Sequence, residues 1–446
     1  MKHYDVIVVG GGPAGGGVAS PLARAGKKVA MIEAAAYGGV CPLSGCNPKK
    51  VLMSGAEAMH MAAGMTGSGV SGGITIDWPE LMRFKQSFVD PVPEGARKAY
   101  ENQGIETWLG FAKFVSPFAV EVNGETLIAP NICICVGQES SPLSVPGGEG
   151  LPVSDDFLNL KNLPRRIIFI GGGFIAFEFA HIARMAGAEV ILLNRTDRVL
   201  RQFDPELTQE LVEASRAAGI DVRLEKPVQA VERASGVFRV RCGEHGSDII
   251  EADMVFNCTG RRAAVSRLDL NKAGVEYGPA GITVNSRMQS VSNPQIYAVG
   301  DVADQGLALT PVATIQGRVA AANILHPDSV EVDYAGIPSV CFSLPPLARV
   351  GLLEAEARER GLEFKVKETD LADSFSWKRL NESVGRARVL IDERNDRILG
   401  AHILGHNAEE MINLFALIVR QGIPVSKVME TVWAYPTCGY ELKYML

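Results

Sequence analysis

Long apolar runs and clusters of basic residues are both missing from this chain of 446 residues. No stretch reaches the roughly 18 apolar residues of a membrane-spanning helix, so we expect no membrane span. Lysine and arginine form no tract and the formal net charge is −7, which argues against binding to nucleic acid or anionic lipid. We therefore expect neither a nucleic-acid partner nor a membrane partner.

Cysteine is also scarce, with 8 residues in the whole chain. This density is too low for a secreted disulfide scaffold, which favours a reducing compartment and a cytoplasmic protein. The opening segment MKHYDVIVVGGGPAGGG has a positive charge and an apolar run, but the run leads directly into a glycine-rich turn. We expect a strand there rather than a signal peptide.

Apolar residues make up 47% of the sequence, enough to build two or three domains at this length. Segments 4–33 and 166–195 repeat one order of features: a strand rich in β-branched residues, a glycine turn, a helix and a second apolar strand. Each predicts a dinucleotide-binding βαβ unit. The expected fold class is α/β, with two Rossmann-like domains.

In the first unit, glycines occupy the three positions that a dinucleotide turn needs: Gly10, Gly12 and Gly15. They allow a tight turn, close approach of the backbone to a pyrophosphate, and close packing of helix on strand. Glu33 ends the second strand and can accept hydrogen bonds from a ribose. A glycine turn alone can serve packing only, but the strand, the helix and the acid together favour nucleotide binding.

The matching positions of the second unit are Gly171, Gly173 and Ala176. Its second strand ends in Asn194, followed by Arg195 and Arg201, where the first unit has a carboxylate. Guanidinium groups pair with a 2′-phosphate that a carboxylate would repel, so we expect NADPH rather than NADH. The alternative is that both arginines are solvated surface residues.

Two nucleotide sites in one chain suggest one cofactor that stays bound to the enzyme and a second that binds and dissociates. Segment 293–303, NPQIYAVGDVA, supports this, because a short strand leads into Gly300 and Asp301. That carboxylate is suited to hold a polyol such as the ribityl chain of a flavin. The segment GGVCPLSGCNPKK, residues 38–50, adds Cys41 and Cys46, which are buried thiols, metal ligands or a catalytic disulfide.

In combination these motifs resemble the FAD-dependent pyridine nucleotide-disulfide oxidoreductases, the family of glutathione reductase, dihydrolipoamide dehydrogenase and mercuric reductase. The resemblance covers nearly the whole chain and rests on GGGPAG, GGVCPLSGCNPKK, GFAKF, CVGQ, GGGFIAFE, CTGRR, YAVGD and AYPTCGYE. It implies an oxidoreductase that binds FAD and NADPH. Further cofactor-binding positions implied by these motifs are Gly39, Lys50, Ala112, Gly137 and Gly260.

The resemblance implies that Cys41 and Cys46 form the redox-active disulfide, with Cys46 facing the flavin and Cys41 the substrate. Zinc ligation is the weaker reading, because no second ligand pair of suitable spacing is evident. A helix that begins at this segment would aim its positive end at the sulfurs and lower the pKa of both thiols.

The family also implies roles around the flavin and the nicotinamide. Lys49 is expected to pair with Glu178, although Lys50 is the alternative for this role. Phe174 is expected to cover the nicotinamide pocket, or else to be a core aromatic. Arg261, in CTGRR, is expected to hold NADPH together with the two arginines of the second unit.

The C-terminal string AYPTCGYELKYML departs from the family pattern, in which His-Pro-Thr is followed by a glutamate. Tyr435 stands in the histidine position and Tyr440 in the glutamate position. A phenol donates a proton but is a poor base near neutrality. The vicinal cysteines of mercuric reductase are absent, and Cys438 is either a metal or disulfide relay or a packing residue.

The expected architecture is an FAD domain over 1–148 and 271–330, an NADPH domain over 149–270, and an α+β interface domain over 331–446 that makes a homodimer. The leading hypothesis is NADPH-dependent reduction of a disulfide. Reduction of a thiophilic metal ion or another soft electrophile is the first alternative. A flavin-bearing redox sensor of low turnover is the second, and the complete NADPH site argues against it.

Overall fold

The structure, a computed structural model, describes all residues from 1 to 446, and they divide into two compact units. The first unit contains residues 1–49, 83–141 and 260–334, and the second contains 50–82, 142–259 and 335–446. The first two limits, after residues 49 and 82, fall inside helices Cys46–Met65 and Trp78–Val89. The predicted domain limits near residues 148, 270 and 330 stay a prediction.

A five-stranded parallel sheet organises the first unit, in the order Ile296–Ala298, Asn131–Ile134, Val6–Val9, Val29–Glu33 and Glu106–Leu109. The central strand VIVV is buried along its whole length, as expected for a parallel strand covered on both faces. Helix Pro13–Arg24 connects it to the next strand and completes the first βαβ unit.

Smaller elements complete the first unit. A four-stranded sheet has the order Lys2–His3, Glu125–Ile128, Ala119–Val122 and Lys113–Ser116. Two strand pairs are Gln138–Ser140 with Arg261–Ala263, and Tyr277–Gly278 with Gly281–Ile282. The other helices are Val40–Ser44, Val92–Glu101, Thr310–Leu325 and the 3₁₀ turn Leu270–Ala273.

The second unit begins with a four-stranded parallel sheet in the order Ile220–Arg223, Glu189–Leu193, Arg166–Ile170 and Met254–Asn257. Helix Phe174–Met185 crosses from the third of these strands to the second, which is the second βαβ unit. An antiparallel sheet of Val228–Ala234, Val237–Cys242 and Asp248–Ala252 accompanies it.

A five-stranded antiparallel sheet forms the C-terminal part, in the order Ser339–Cys341, Leu347–Gly351, Arg397–Gly405, Gly385–Asp392 and Lys365–Asp370. Helix Ala408–Gln421 buries Met411, Ile412 and Phe415 in the same core as this sheet. The remaining helices of the unit are Ser154–Phe157, Pro205–Ala217, Glu354–Glu359, Phe375–Lys378, Val425–Glu430, Cys438–Glu441 and the 3₁₀ turns Glu244–Gly246 and Leu442–Tyr444.

The predicted fold class is confirmed, with two Rossmann-like units and a C-terminal α+β part. Both repeats identified in the sequence have the strand, turn, helix and parallel strand that their pattern predicted. None of the helices combines the length and the hydropathy that crossing a membrane requires.

Candidate active site

The first glycine turn leaves no room for side chains. Gly10 has a φ of 119°, and a Cβ there would lie 2.3 Å from the Cys135 carbonyl oxygen. A Cβ on Gly15 would lie 2.0 Å from the Gly10 carbonyl oxygen. Gly12 begins helix Pro13–Arg24 without a side-chain cap, so its first amides remain available to an anion. The turn therefore fits a pyrophosphate.

Glu33 is fixed beside this turn. Its Oε2 accepts a hydrogen bond from the Gly11 amide at 2.7 Å and its Oε1 one from the Ala35 amide at 2.9 Å. A cavity of about 310 Å³ lies next to the end of this strand, lined by Ala35, Ala36, Tyr37, Pro93, Glu94, Arg97, Thr107 and Leu109. A carboxylate held at the end of the second strand of a dinucleotide unit suits the ribose of a bound adenosine, so the residues present fit FAD.

Asp301, which is predicted to hold the flavin, is partly buried. This burial raises its pKa, while the positive charge of Arg261 opposes the rise. Arg261 donates to the Gln138 carbonyl oxygen at 2.6 Å, so its contacts lie within the first unit. Its predicted role in holding NADPH stays a prediction. Gly300 donates its amide to Gln316 Oε1 at 2.7 Å. Three more predicted positions directly precede short strands of this unit: Ala112, Gly137 and Gly260.

The cysteine segment packs directly on the glycine turn. A Cβ on Gly39 would lie 2.7 Å from the Gly12 Cα, so the two backbones can approach only because both residues are glycine. Cys41 lies in the short helix that follows, and Cys46 begins a helix of 20 residues. Both are free thiols in the structure. The segment therefore holds the two sulfurs next to the turn that fits a pyrophosphate.

The two thiols interact, and this changes one expectation. A hydrogen bond with Cys46 and burial raise the pKa of Cys41 strongly, although Thr310 opposes the rise. The prediction that the helix lowers the pKa of both thiols is therefore wrong for Cys41. The physical reason is that the hydrogen bond with Cys46 and the burial of the sulfur both favour the protonated form of Cys41.

Thr310 is a site residue that the sequence reasoning missed. Its Oγ1 lies 3.9 Å from Cys46 Sγ, although the two residues are 264 positions apart. Thr310 begins helix Thr310–Leu325, so a second helix N-terminus meets the sulfur. Close packing at Gly317 brings this helix in, since a Cβ there would lie 3.0 Å from Gly17. The Thr-Pro dipeptide was a helix-start signal, but it did not reveal the partner.

The second glycine turn has the geometry of the first. A Cβ on Gly171 would lie 2.3 Å from the Cys258 carbonyl oxygen. Gly173 precedes helix Phe174–Met185 and provides no side-chain cap. Ala176 is buried, as the third position requires. Phe174 is 43% exposed, so it is not the core aromatic that was the alternative. The turn fits the pyrophosphate of a second nucleotide.

Asn194 follows the second strand and fixes the loop that carries the arginines. Its Nδ2 donates to the carbonyl oxygens of Thr196 at 2.8 Å and Arg198 at 3.1 Å. Arg195 and Arg201 are exposed, and Arg201 Nη2 donates to Thr196 Oγ1 at 3.3 Å. The Arg201 side chain thus returns to the residue next to Arg195. This convergence of positive charge fits a 2′-phosphate.

The predicted lysine and glutamate are both buried, Lys49 in the first unit and Glu178 in the second. Glu178 Oε1 accepts a hydrogen bond from the Phe342 amide at 2.9 Å. Lys50 forms an ion pair with Glu57 and lies 4.7 Å from the centre of the Phe342 ring. Lys50 therefore has an anionic partner of its own, and the roles of both lysines stay predictions.

Tyr435 is 67% exposed, and its ring meets that of Tyr440 edge to face, with centres 4.8 Å apart. The Lys443 ammonium lies 3.6 Å from the centre of the Tyr440 ring, and its hydrogen bond lowers the pKa of Tyr440. Cys438 accepts a hydrogen bond from Asn407 Nδ2 at 3.4 Å and packs against the C-terminal core. The two tyrosines that replace the family's histidine and glutamate therefore lie in contact.

Comparisons with known proteins agree with this geometry. Residues 4–317 match the family described as pyridine nucleotide-disulphide oxidoreductase, and residues 337–446 match its dimerisation domain. Mercuric reductase from Bacillus cereus is 32% identical over 99% of this chain and 70% of its own length. Glutathione reductase from Burkholderia cepacia is 32% identical over 98% of this chain and 97% of its own.

A solved structure is similar over the whole chain. It is the Cu(II) complex of the HOCl-induced flavoprotein disulfide reductase RclA from Escherichia coli, with a TM-score of 0.89 and 26% identity over 100% of this chain and 99% of that chain. In the present chain, no group of three or more His, Cys, Asp or Glu side chains is arranged to hold a metal ion. The two family matches together span almost all of the sequence, and this chain therefore belongs to the pyridine nucleotide-disulphide oxidoreductases, FAD-dependent enzymes that use NAD(P)H.

Proposed function

We propose that this enzyme reduces a disulfide substrate with NADPH, through FAD and a redox-active disulfide between Cys41 and Cys46, with Tyr435 as the proton donor. The observation that carries the proposal is the thiol pair, packed on a dinucleotide turn and hydrogen-bonded sulfur to sulfur. A structural thiol pair would need neither the turn nor the two helix N-termini that meet Cys46. The dimerisation domain supports a homodimer.

FAD, when bound, supplies the route by which the two electrons of NADPH reach the disulfide of the chain. The helix N-termini at Cys46 stabilise the thiolate that remains there. Cys41 passes its thiol proton to the Cys46 thiolate, and Cys41 Sγ then attacks one sulfur of the substrate disulfide, whose S–S bond breaks. Tyr435 gives a proton to the departing thiolate and regains one from water. Cys46 loses its proton to water and attacks Cys41 Sγ, which restores the Cys41–Cys46 bond and releases the second thiolate, and this thiolate takes a proton from water.

Reduction of a thiophilic metal ion is the second candidate. Mercuric reductase is among the relatives, and RclA has been solved as a Cu(II) complex. Two adjacent thiols are soft ligands that can hold such an ion without further protein ligands. In this reaction no thiol departs, so no proton donor is needed at Tyr435.

An acceptor panel separates the two candidates. NADPH oxidation should be fast with a disulfide of low thiol pKa and should yield two thiols for each NADPH consumed. The measurement is anaerobic turnover with disulfides, Hg(II), Cu(II) and quinones at matched concentrations. Turnover with a metal ion and with no disulfide would replace the first candidate by the second.

The second prediction concerns Arg195 and Arg201. Loss of one guanidinium contact to a desolvated 2′-phosphate costs about 1.5–3 kcal/mol, so Arg195→Met or Arg201→Met should raise the KM for NADPH about tenfold or more. The KM for NADH should stay the same, because NADH has no 2′-phosphate. Steady-state kinetics with both nucleotides measure this. Equal KM values for NADPH and NADH in the wild type would contradict the proposed preference.

A further inference from the structure

The loop between strand Glu189–Leu193 and helix Pro205–Ala217 carries the arginines proposed to bind NADPH, and its first half is held from within its own domain. The Asn194 amide fixes the start of the loop through two carbonyl oxygens. In the middle, the Leu200 amide donates to the Gly172 carbonyl oxygen at 2.8 Å. The first half of the loop is thus anchored to the second glycine turn by hydrogen bonds.

The second half of the loop is held from within and from the C-terminal sheet. Within the loop, Arg198 Nη2 donates to the carbonyl oxygens of Arg201 at 3.3 Å and Phe203 at 3.5 Å. Arg349, on strand Leu347–Gly351, donates from Nη1 to the Gln202 carbonyl oxygen and from Nη2 to the Gly351 carbonyl oxygen at 2.8 Å. Gln202 directly follows Arg201 in the chain. A guanidinium bound to this carbonyl therefore constrains the Gln202–Phe203 peptide, one residue beyond Arg201.

Arg388, on strand Gly385–Asp392, holds the last residue of the loop. Arg388 is 4% exposed and Asp204 is 1% exposed, and Arg388 Nε lies 3.7 Å from Asp204 Oδ2. Asp204 Oδ1 accepts from the amides of Glu206 at 3.0 Å and Leu207 at 3.1 Å, which caps the following helix. Arg388 also pairs with Glu206 in the first turn of that helix, and with Glu354 at 2.8 Å and Glu368 at 3.4 Å in the C-terminal part. It therefore ties the end of the loop and the start of the helix to the C-terminal sheet.

We propose that Arg349 and Arg388 are positioning residues for the nucleotide, through which the C-terminal sheet sets the affinity for the 2′-phosphate. They fix the end of the loop so that Arg201 returns to Thr196 and joins Arg195. This inference rests on the proposed function, since it requires these two arginines to bind the 2′-phosphate. It goes further in giving a part of the C-terminal domain, matched as a dimerisation domain, a role in nucleotide selection.

The test uses the FAD-loaded enzyme and two probes, adenosine 2′,5′-bisphosphate and AMP. Arg349→Met should weaken the bisphosphate about three- to tenfold in calorimetric titrations and change AMP by less than about twofold, because one charged hydrogen bond to the loop is lost. The KM for NADPH should rise in parallel, with kcat and the KM for NADH unchanged. Arg349→Lys, which keeps a donor, should recover part of the affinity.

The matched control is Arg386→Met. Arg386 lies on the same strand as Arg388 and pairs at 2.9 Å with Glu210, which belongs to the helix rather than the loop. It should leave both probes unchanged. Arg388→Lys is the second variant, because it keeps a cation beside Asp204, and it should also weaken only the bisphosphate.

Three results would overturn the inference: no change in Arg349→Met, equal weakening of both probes, or the same loss in Arg386→Met. The two proposals fail in different ways. If Arg195→Met and Arg201→Met leave the bisphosphate affinity unchanged, the NADPH assignment fails and the positioning role fails with it. If those variants weaken it and Arg349→Met does not, only the positioning role fails.

Discussion

Replacing Cys46 with serine is expected to lower NADPH-dependent turnover about a thousandfold or more, since loss of a residue that reacts covalently removes most of the rate enhancement. The same variant should lose the long-wavelength charge-transfer band between a thiolate and the flavin that anaerobic NADPH produces in the wild type. Cys41→Ser should be equally inactive but should show the band before reduction, because its Cys46 thiolate has no disulfide partner. Activity assays and anaerobic absorbance spectra measure both effects.

Cys438→Ser is the matched control for the cysteine pair. Cys438 is the one other thiol in the C-terminal segment near Tyr435, and serine can keep the hydrogen bond from Asn407. A packing role predicts that turnover and spectrum both stay the same. If Cys438→Ser loses turnover with the spectrum intact, Cys438 relays electrons or metal. If wild-type reduction gives no charge-transfer band at all, the redox role of Cys41 and Cys46 is wrong.

Much of the fold follows from local sequence. The strand VIVV and the strand RIIFI are continuous apolar runs that end in glycine turns, and both are parallel strands in the structure. Glu33 ends its second strand and Asn194 directly follows the other one. The contrast between the carboxylate and the nearby arginines could therefore be predicted from the sequence. These features are determined by residues close together in the chain, so the hydrophobic pattern and the secondary-structure propensities predict them.

The features that could not be predicted depend on distant contacts. Thr310 meets Cys46 only because helix Thr310–Leu325 packs on helix Pro13–Arg24, and no local pattern fixes that crossing. The raised pKa of Cys41 likewise depends on burial and on its partner, while helix position alone suggested the opposite shift. Arg349 reads as an ordinary strand residue until its Gln202 partner is known.

The C-terminal segment contains one feature that the sequence predicted and others that only the structure shows. The replacement of histidine by Tyr435 was visible in the sequence, and the structure adds its contact with Tyr440 and the nearby Lys443. An imidazole titrates near pH 6.5 and a phenol near pH 10, so the two donors impose different limits on the same reaction. A phenol stays protonated throughout the neutral range. It can therefore supply a proton at any neutral pH, but it cannot accept one from an incoming thiol.

Tyr435→Phe is expected to slow reduction of alkyl disulfides about a hundredfold, at the lower end of the contribution of a positioned proton donor. Disulfides of acidic aromatic thiols should lose far less, because their thiolates depart without a proton. The measurement is kcat/KM along a series of mixed disulfides graded by thiol pKa. The wild-type pH profile should lack a limb between about pH 6 and 7, since no imidazole titrates in the reaction. Tyr435→His should introduce that limb and improve turnover of alkyl disulfides.

Tyr444→Phe is the control for this series, because the Tyr444 ring packs against Tyr440, with ring centres 6.0 Å apart, and its hydroxyl has no role in the proposed chemistry. Its loss should leave the whole series unchanged. A proton donor predicts a loss that grows with the pKa of the departing thiol. A residue that only packs against Tyr440 would give the same loss for every disulfide, and that result would remove Tyr435 from the chemistry. No loss with disulfides, together with a loss with Hg(II) or Cu(II), would instead make Tyr435 a contact for a metal acceptor and favour the second candidate function.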